Sequence, residues 1–592
     1  MKQLVAVLFL LFQLVSCTTP DRPDSGDSFY LQNRAPLRAN PYLELPLGSI
    51  HPEGWLREML VRQKEGSTGQ LDALYPKVMG PRNGWLGGDG DQWERGPYWI
   101  DGLLPLAYIL DDRELIEKTK PWVEWALNSQ QPDGYFGPST DYPAETGLQR
   151  NNSRDWWPKM VMLKILRQYH SATGDGRVVE LFDKYFRYQL KELPNTPLGH
   201  WTFWGEFRAC DNLANVYWLY NLTGESYLLE LAELIHKQSF DFTTSFLEGS
   251  HLPHPGSLHC VNLAQGIKEP MVYYQQNPDP KFIEATQTAF NDIRRFHGQP
   301  QGLYGGDEAL HGQNPTQGSE LCSAVEMMFS LETMLAISGD VKHADHLEKI
   351  AFNALPSQIA DDFMTRQYFQ QPNQVMLTRS IRNFDVNHDG TDVVFGLLTG
   401  YPCCTSNMHQ GWPKFTQNLF YATPDNGLAA LVYSPCRVTA RVGDGSEVTI
   451  TETTNYPFEE NILFEFSFAG PGKVVEFPFH LRLPEWCSEP EIRLNGKVIP
   501  YAHKDRIVAL TRPWASGDQV ELVLPMEVTT STWYENSRAV ERGPLVYGLK
   551  IGEQWDKVTN TKDPEIYGEE FFEVRHTTPW NYGLPHAVIN NP

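Results

Sequence analysis

The chain is short of positive charge. Its 592 residues carry 49 Lys and Arg against 73 Asp and Glu, a net charge of −24. Nucleic-acid binding needs a basic footprint that displaces counterions from phosphate, so no nucleic-acid partner is expected. After the N-terminus no apolar run reads as long enough to span a bilayer. Aromatic residues are not scarce, at 12% with 17 Trp and 26 Tyr. Such rings suit the apolar faces of sugars, but they also fill large helical cores.

The N-terminus carries an export pattern. Lys2 is positive, Leu4 to Val15 is almost wholly apolar, and Leu14-Val15-Ser16-Cys17 closes the stretch. Residues 1–17 read as a secretory signal with a lipobox, which makes Cys17 the lipidated first residue of the mature chain. An ordinary signal peptide cleaved nearby is the alternative. The Pro/Asp/Ser-rich run from Thr18 to Ser28 cannot bury a core, so residues 18–40 are expected to form a flexible tether. The expected location is the bacterial envelope, with the lipid holding the protein in the periplasm or at the outer-membrane surface.

Cysteine is sparse. Besides Cys17 there are Cys210, Cys260, Cys322, Cys403, Cys404, Cys436 and Cys487. Outside the cytosol the default for such residues is disulfides. Adjacent cysteines close a ring on each other only under strain, so Cys403 and Cys404 face another partner, and a metal is the natural one.

From about 50 to 425 the apolar period is helical, and helix–turn–helix units recur every 50 to 62 residues or so. Their turns read Asp111-Asp112, Thr173-Gly174-Asp175, Thr223-Gly224-Glu225, Pro278-Asp279 and Ser338-Gly339-Asp340. About six hairpins fit, which predicts an (α/α)6 barrel catalytic domain over 41–427. After 428 the pattern alternates, as in Val448-Thr-Ile-Thr-Glu452, and Asn495-Gly496 marks a hairpin turn. The chain is therefore mainly α with an all-β second domain, a β-sandwich over 428–552, and an irregular tail over 553–592.

Three groups could carry chemistry. Glu320 and Cys322 open the apolar helix that follows them, and with Cys403 and Cys404 they make a Cys3Glu set suited to tetrahedral Zn²⁺. Disulfides or buried free thiols remain the other readings. A metal would keep the thiols deprotonated, and a thiolate is a competent nucleophile at a sugar carbon. Glu308, in a Gly-rich approach to the same helix, could protonate a leaving oxygen and later deprotonate water, or be a solvated loop acid. His259 suits a substrate hydroxyl or a structural bond. The Asp89, Asp91, Glu94, Arg95 and Asp101 cluster suits sugar hydroxyls or an internal salt-bridged turn.

The pairing of Glu320-Leu-Cys322 with Tyr401-Pro-Cys-Cys-Thr-Ser-Asn407 is a specific signature. With Gln131-Pro-Asp-Gly-Tyr-Phe136, Asp307-Glu-Ala-Leu310, Leu481-Arg-Leu-Pro-Glu-Trp486 and Leu494-Asn-Gly-Lys497, it resembles glycoside hydrolase family 127, the β-L-arabinofuranosidase family, over nearly the whole mature chain. The resemblance implies a retaining exo-hydrolase on an (α/α)6 barrel braced by a β-sandwich. It implies Glu320, Cys322, Cys403 and Cys404 as zinc ligands, Cys403 as nucleophile and Glu308 as acid/base. It also implies His259 and Tyr368 as substrate contacts. Thr405-Ser406 departs from the family's usual Pro-Pro or similar pair, and the interval from Glu308 to Glu320 is shorter, so the pocket floor is expected to differ. The expected substrate is a plant cell-wall oligosaccharide ending in L-arabinofuranose or a related sugar, aceric acid of rhamnogalacturonan II included. A polysaccharide lyase, a two-carboxylate hydrolase pairing Asp89 with Glu308, and a non-catalytic glycan-binding lipoprotein are the competing readings.

Overall fold

The computed structural model describes residues 28–585; Cys17 and the signal segment lie outside them. Six inner helices form a closed ring: Arg95–Ile109, Trp156–Thr173, Cys210–Thr223, the broken pair Cys260–Gly266 and Glu269–Tyr274, Leu321–Ser338, and Gly411–Gln417. Each packs on the next, and the last returns to the first. The outer helices include Arg177–Glu192, which buries Val178, Leu181, Phe182, Tyr185, Phe186 and Gln189 as a single stripe. Inner helices instead bury nearly every residue. Leu321–Ser338 is long and apolar enough to cross a bilayer, which corrects the reading that no later run qualifies, but it is mostly buried in the ring. The outer helix Gly54–Glu65 packs on the sixth unit, with Trp55 against Trp412 and Gln63 bonded to the His409 carbonyl.

Three inner helices end on Gly174, Gly224 and Gly339 in the left-handed conformation, the usual helix stop where a side chain would strain the backbone. All six inner helices run the same way, so their N-termini gather at one end of the ring. At the opposite end the chain from 28 to 47 crosses the glycine stops. The Arg34 backbone N–H donates to Asn221 and that of Leu47 to Ser171, while Pro41 lies beside Gly339. Residues 28–40 of the expected tether are therefore not flexible, and residues 18–27 lie outside the described span. Leu37 is buried, and residues 28–40 are packed because the barrel base supplies partners that the local composition does not reveal.

The second domain has a seven-stranded and a four-stranded sheet. Strands such as Cys436–Val442 alternate buried and open residues, and the Phe466 ring stacks on Trp514 at 4.2 Å inside. Asn495 and Gly496 both take positive φ at the hairpin turn. The sheets recruit two strands from the span assigned to the barrel, Ile50–Pro52 on Cys436–Val442 and Phe420–Ala422 on Leu428–Ala430. Arg482, fully buried, bonds Asp345 and Glu348 of the barrel's outer layer and ties the domains together. Val528–Thr532, Arg538–Arg542 and Leu545–Tyr547 form a separate sheet.

The tail differs from expectation as well. Glu553–Thr559 and Glu570–His576 pair with each other, and the second pairs with Phe395–Gly396 of the barrel. These strands show little apolar alternation, because their order comes from a partner some 175 positions earlier in the chain.

Candidate active site

Glu320 is the last residue of a two-residue strand and stands just before the helix Leu321–Ser338, so Cys322 falls in that helix's first turn. Cys403 and Cys404 open the short helix Cys403–Asn407 at the same end of the ring. The Cys322 sulfur is 3.7 Å from that of Cys403 and 3.1 Å from that of Cys404. Glu320 Oε1 is 3.7 Å from the Cys403 sulfur and 3.6 Å from the Cys404 sulfur. These are not disulfides, since an S–S bond is about 2.05 Å. A tetrahedral zinc with Zn–S of about 2.3 Å and Zn–O of about 2.1 Å sets two sulfurs about 3.8 Å apart and a sulfur and an oxygen about 3.6 Å apart; one of the two sulfur–sulfur separations and both sulfur–oxygen separations lie close to these values. Donor type, number and spacing therefore fit a zinc held by Glu320, Cys322, Cys403 and Cys404. Of the four, only Cys403 is partly exposed.

Cys260, whose role the sequence left open, stands behind this set: its thiol donates to Glu320 Oε2 at 3.1 Å. Such outer bonds orient a ligand. Cys210 donates to the Gln265 carbonyl at 3.1 Å and belongs to the core.

Glu308 sits at the tip joining Gly305–Asp307 to Ala309–Gly312, at φ 81°. A non-glycine residue there is strained, and its carbonyl is fixed by the Cys260 N–H at 2.7 Å. One carboxylate oxygen accepts from the Tyr368 hydroxyl, which is itself 3.8 Å from the Cys403 sulfur. The other lies 3.0 Å from His259 Nε2. His259 caps the helix Cys260–Gly266, its Nδ1 accepting the N–H groups of Val261 and Asn262. That nitrogen must be unprotonated, so the ring's proton is on Nε2 and points at Glu308. Gly400, at φ 65°, is required beside Tyr368, where an added Cβ would meet the tyrosine at 2.2 Å.

Electrostatics separates the two adjacent cysteines. Burial would raise the Cys403 thiol, but bonds from Cys322, Cys404 and Tyr368, with the Arg366 charge beyond, carry it well below the usual thiol range. Burial pushes Cys404 and Cys322 well up. Burial would also raise Glu308, yet its bonds to His259 and Tyr368 hold it below the ordinary carboxylate range.

Several neighbours escaped the sequence reading. Arg366, fully buried, donates to the Thr399 and Tyr401 carbonyls before the cysteines and to Thr405 Oγ1 after them at 2.7 Å. Thr405, the departure from the family pair, thus becomes part of a clamp on the Cys403 turn. Asn407 is buried and donates to Glu326 at 3.0 Å. His388 stands with Nδ1 2.7 Å from Asp392 and Nε2 3.9 Å from Glu308. The Asp392 carbonyl also accepts the N–H groups of Tyr368 and Phe369. Nothing in the local sequence around His388 marks it, because only the folded loop over 376–394 brings it in.

The acidic cluster resolves mainly as internal pairs. Asp91 pairs with buried Arg95, and Asp101 with Lys414 at 2.6 Å and Lys164 at 3.3 Å. Asp89 is exposed on Arg82 and shares no partner with Glu308, so the two-carboxylate reading loses its pair. Glu94 reaches the site, bonded to Trp157 and 3.3 Å from Arg208. Burial pushes it up to about 7 against the pull of Arg208.

A closed ring of helices with an acid and a thiol cluster at its mouth is the arrangement of a carbohydrate-active (α/α)6 enzyme. The comparisons make this specific. Residues 52–417 match the model described as "Beta-L-arabinofuranosidase, GH127 catalytic domain", and 427–526 match the GH127 middle domain. The chain belongs to glycoside hydrolase family 127. A curated relative, the non-reducing end β-L-arabinofuranosidase of Bifidobacterium longum, is 26% identical over 243 residues, 40% of this chain. That match spans 36% of the relative's length. Among solved structures, a GH127 β-L-arabinofuranosidase from Geobacillus stearothermophilus shares the fold at TM-score 0.66 and 18% identity, over 91% of this chain and 94% of that one. A structure named only as a glycoside hydrolase does so at TM-score 0.68 and 17% identity, over 94% of each.

Proposed function

We propose that this chain is a retaining, exo-acting hydrolase that removes a terminal L-arabinofuranosyl or related unusual sugar from plant pectic glycans. Cys403 acts as nucleophile and Glu308 as acid/base. The observation that carries the reading is the line Glu308–Tyr368–Cys403 within a cluster of four metal-type donors, three of them buried. A single phenol oxygen bridges acid and nucleophile. That closeness suits double displacement, whereas inverting enzymes separate their two groups by about 6.5–9.5 Å to admit a water.

Cys403 Sγ attacks the anomeric carbon as the glycosidic C–O bond breaks, and Glu308 gives its proton to the leaving oxygen. In the free enzyme Glu308 is held below the ordinary carboxylate range, so it takes up its proton from solvent as substrate binds, when the leaving oxygen displaces one of its two donors and burial prevails. In the second half Glu308 takes a proton from water, the water oxygen attacks the same carbon, and the C–S bond breaks to return the thiolate. A zinc on Glu320, Cys322, Cys403 and Cys404 would keep the thiols deprotonated. Tyr368 and His259 orient the acid and are placed to meet sugar hydroxyls. The leader pattern ending at Cys17 supports a lipid-anchored enzyme of the bacterial envelope.

Cys403→Ala should abolish turnover of an L-arabinofuranoside; full activity in that variant would refute the nucleophile. Product analysis across arabinofuranosides and rhamnogalacturonan-II side chains identifies the sugar.

A further inference from the structure

The loop entering the inner helix Cys210–Thr223 carries two aromatic rings in solvent, Trp201 at 42% and Phe203 at 49% exposure. Two half-exposed aromatic rings two positions apart offer an apolar surface next to the site. The loop is held firmly between them. Thr202 Oγ1 donates to Asp155 Oδ2 at 2.7 Å, and Trp93 Nε1 donates to the same oxygen at 3.1 Å. Asp155 is fully buried.

The rings continue directly into the catalytic groups. Phe203 lies against Trp204 with centroids 4.2 Å apart, and Arg208 covers the Trp204 ring at 4.3 Å. Trp204 meets His259 edge-on at 4.9 Å, and His259 bonds Glu308. Glu308 marks where the leaving oxygen sits, so whatever is attached to that oxygen has a path over His259 and Trp204 toward Phe203, with Trp201 two positions away on the same loop. Flat rings with a negative face favour the polarised C–H groups along one side of a sugar ring, and a simple alkyl group covers less of them.

We propose that Trp201, Phe203 and Trp204 form the leaving-group subsite, which takes the pyranose ring next to the scissile bond. The proposal rests on the reading above that Glu308 protonates the leaving oxygen. It makes the substrate a glycan whose terminal sugar is attached to another sugar.

The test compares kcat/KM on a β-L-arabinofuranosyl-pyranose disaccharide with that on methyl β-L-arabinofuranoside. In Phe203→Ala and Trp201→Ala the ratio should fall about tenfold, mainly through KM for the disaccharide, and Phe203→Tyr should restore it. An unchanged ratio in both alanine variants overturns the subsite. If the wild type cleaves neither compound, the activity reading fails, and binding decides the subsite separately. Titration of the disaccharide into the wild type and Phe203→Ala should then show Kd about tenfold weaker in the variant, and equal Kd values overturn the proposal. A wild-type dimer that Phe203→Ala dissociates, with the ratio unchanged, assigns the rings to a second copy and also overturns it.

Discussion

The Tyr368 hydroxyl donates to Glu308 and lies 3.8 Å from the Cys403 sulfur, so one phenol oxygen touches both proposed reacting groups. Tyr368→Phe should lower kcat/KM by about 10²-fold, the scale of a positioned proton-handling group, while metal content stays unchanged. Steady-state kinetics with metal analysis on the same preparation checks both halves.

Cys260 orients Glu320 from behind the donor cluster. Cys260→Ala should weaken metal binding about 10- to 100-fold, as loss of an outer-shell partner does, and Cys260→Ser should recover part of it. Competition with a calibrated chelator reads the affinity directly.

Removal of metal should make Cys403 the first thiol to react, because Cys322 and Cys404 are buried while Cys403 is partly exposed and its thiol sits well below the usual range. After chelator treatment, iodoacetamide followed by peptide mapping should label Cys403 first. Equal labelling of all three would contradict the asymmetry.

Thr405→Val leaves the Arg366 guanidinium one acceptor short in a buried site. A cost of about 1–3 kcal/mol is expected, read by urea denaturation, with a larger proportional loss of activity because the clamp holds the turn that carries Cys403.

Glu94 is raised by burial to about 7. A carboxyl raised on folding binds its proton more tightly in the native state. Its contribution is therefore fully present below its unfolded value of about 4.3 and fades as pH climbs toward 7. Stability of Glu94→Gln should decline less than that of the wild type between pH 4.5 and 7, measured by thermal melting at fixed ionic strength.

Much of the fold was legible because it repeats. Turn signals such as Thr173-Gly174-Asp175 and Ser338-Gly339-Asp340 stop helices by local backbone preference, and Asn495-Gly496 makes its hairpin in the same way. The tail strands and the packed segment over 28–40 were not legible. Their order comes from distant partners, Phe395–Gly396 and the barrel base, rather than from any local pattern.

By itself the sequence determined which residue types were present for the chemistry. A carboxylate and a thiol two positions apart, with an adjacent thiol pair, needed no coordinates to suggest a metal. Only the tertiary structure decided their relations. It set the four donor atoms within 4.8 Å of one another, made Cys403 the accessible member of its pair, and aimed Glu308 through a strained turn. It also brought in Cys260, Arg366 and His388, which no motif announces. The reason is physical: side-chain type is a property of one position, whereas burial, hydrogen bonding and pKa depend on neighbours that only the closing of the ring supplies.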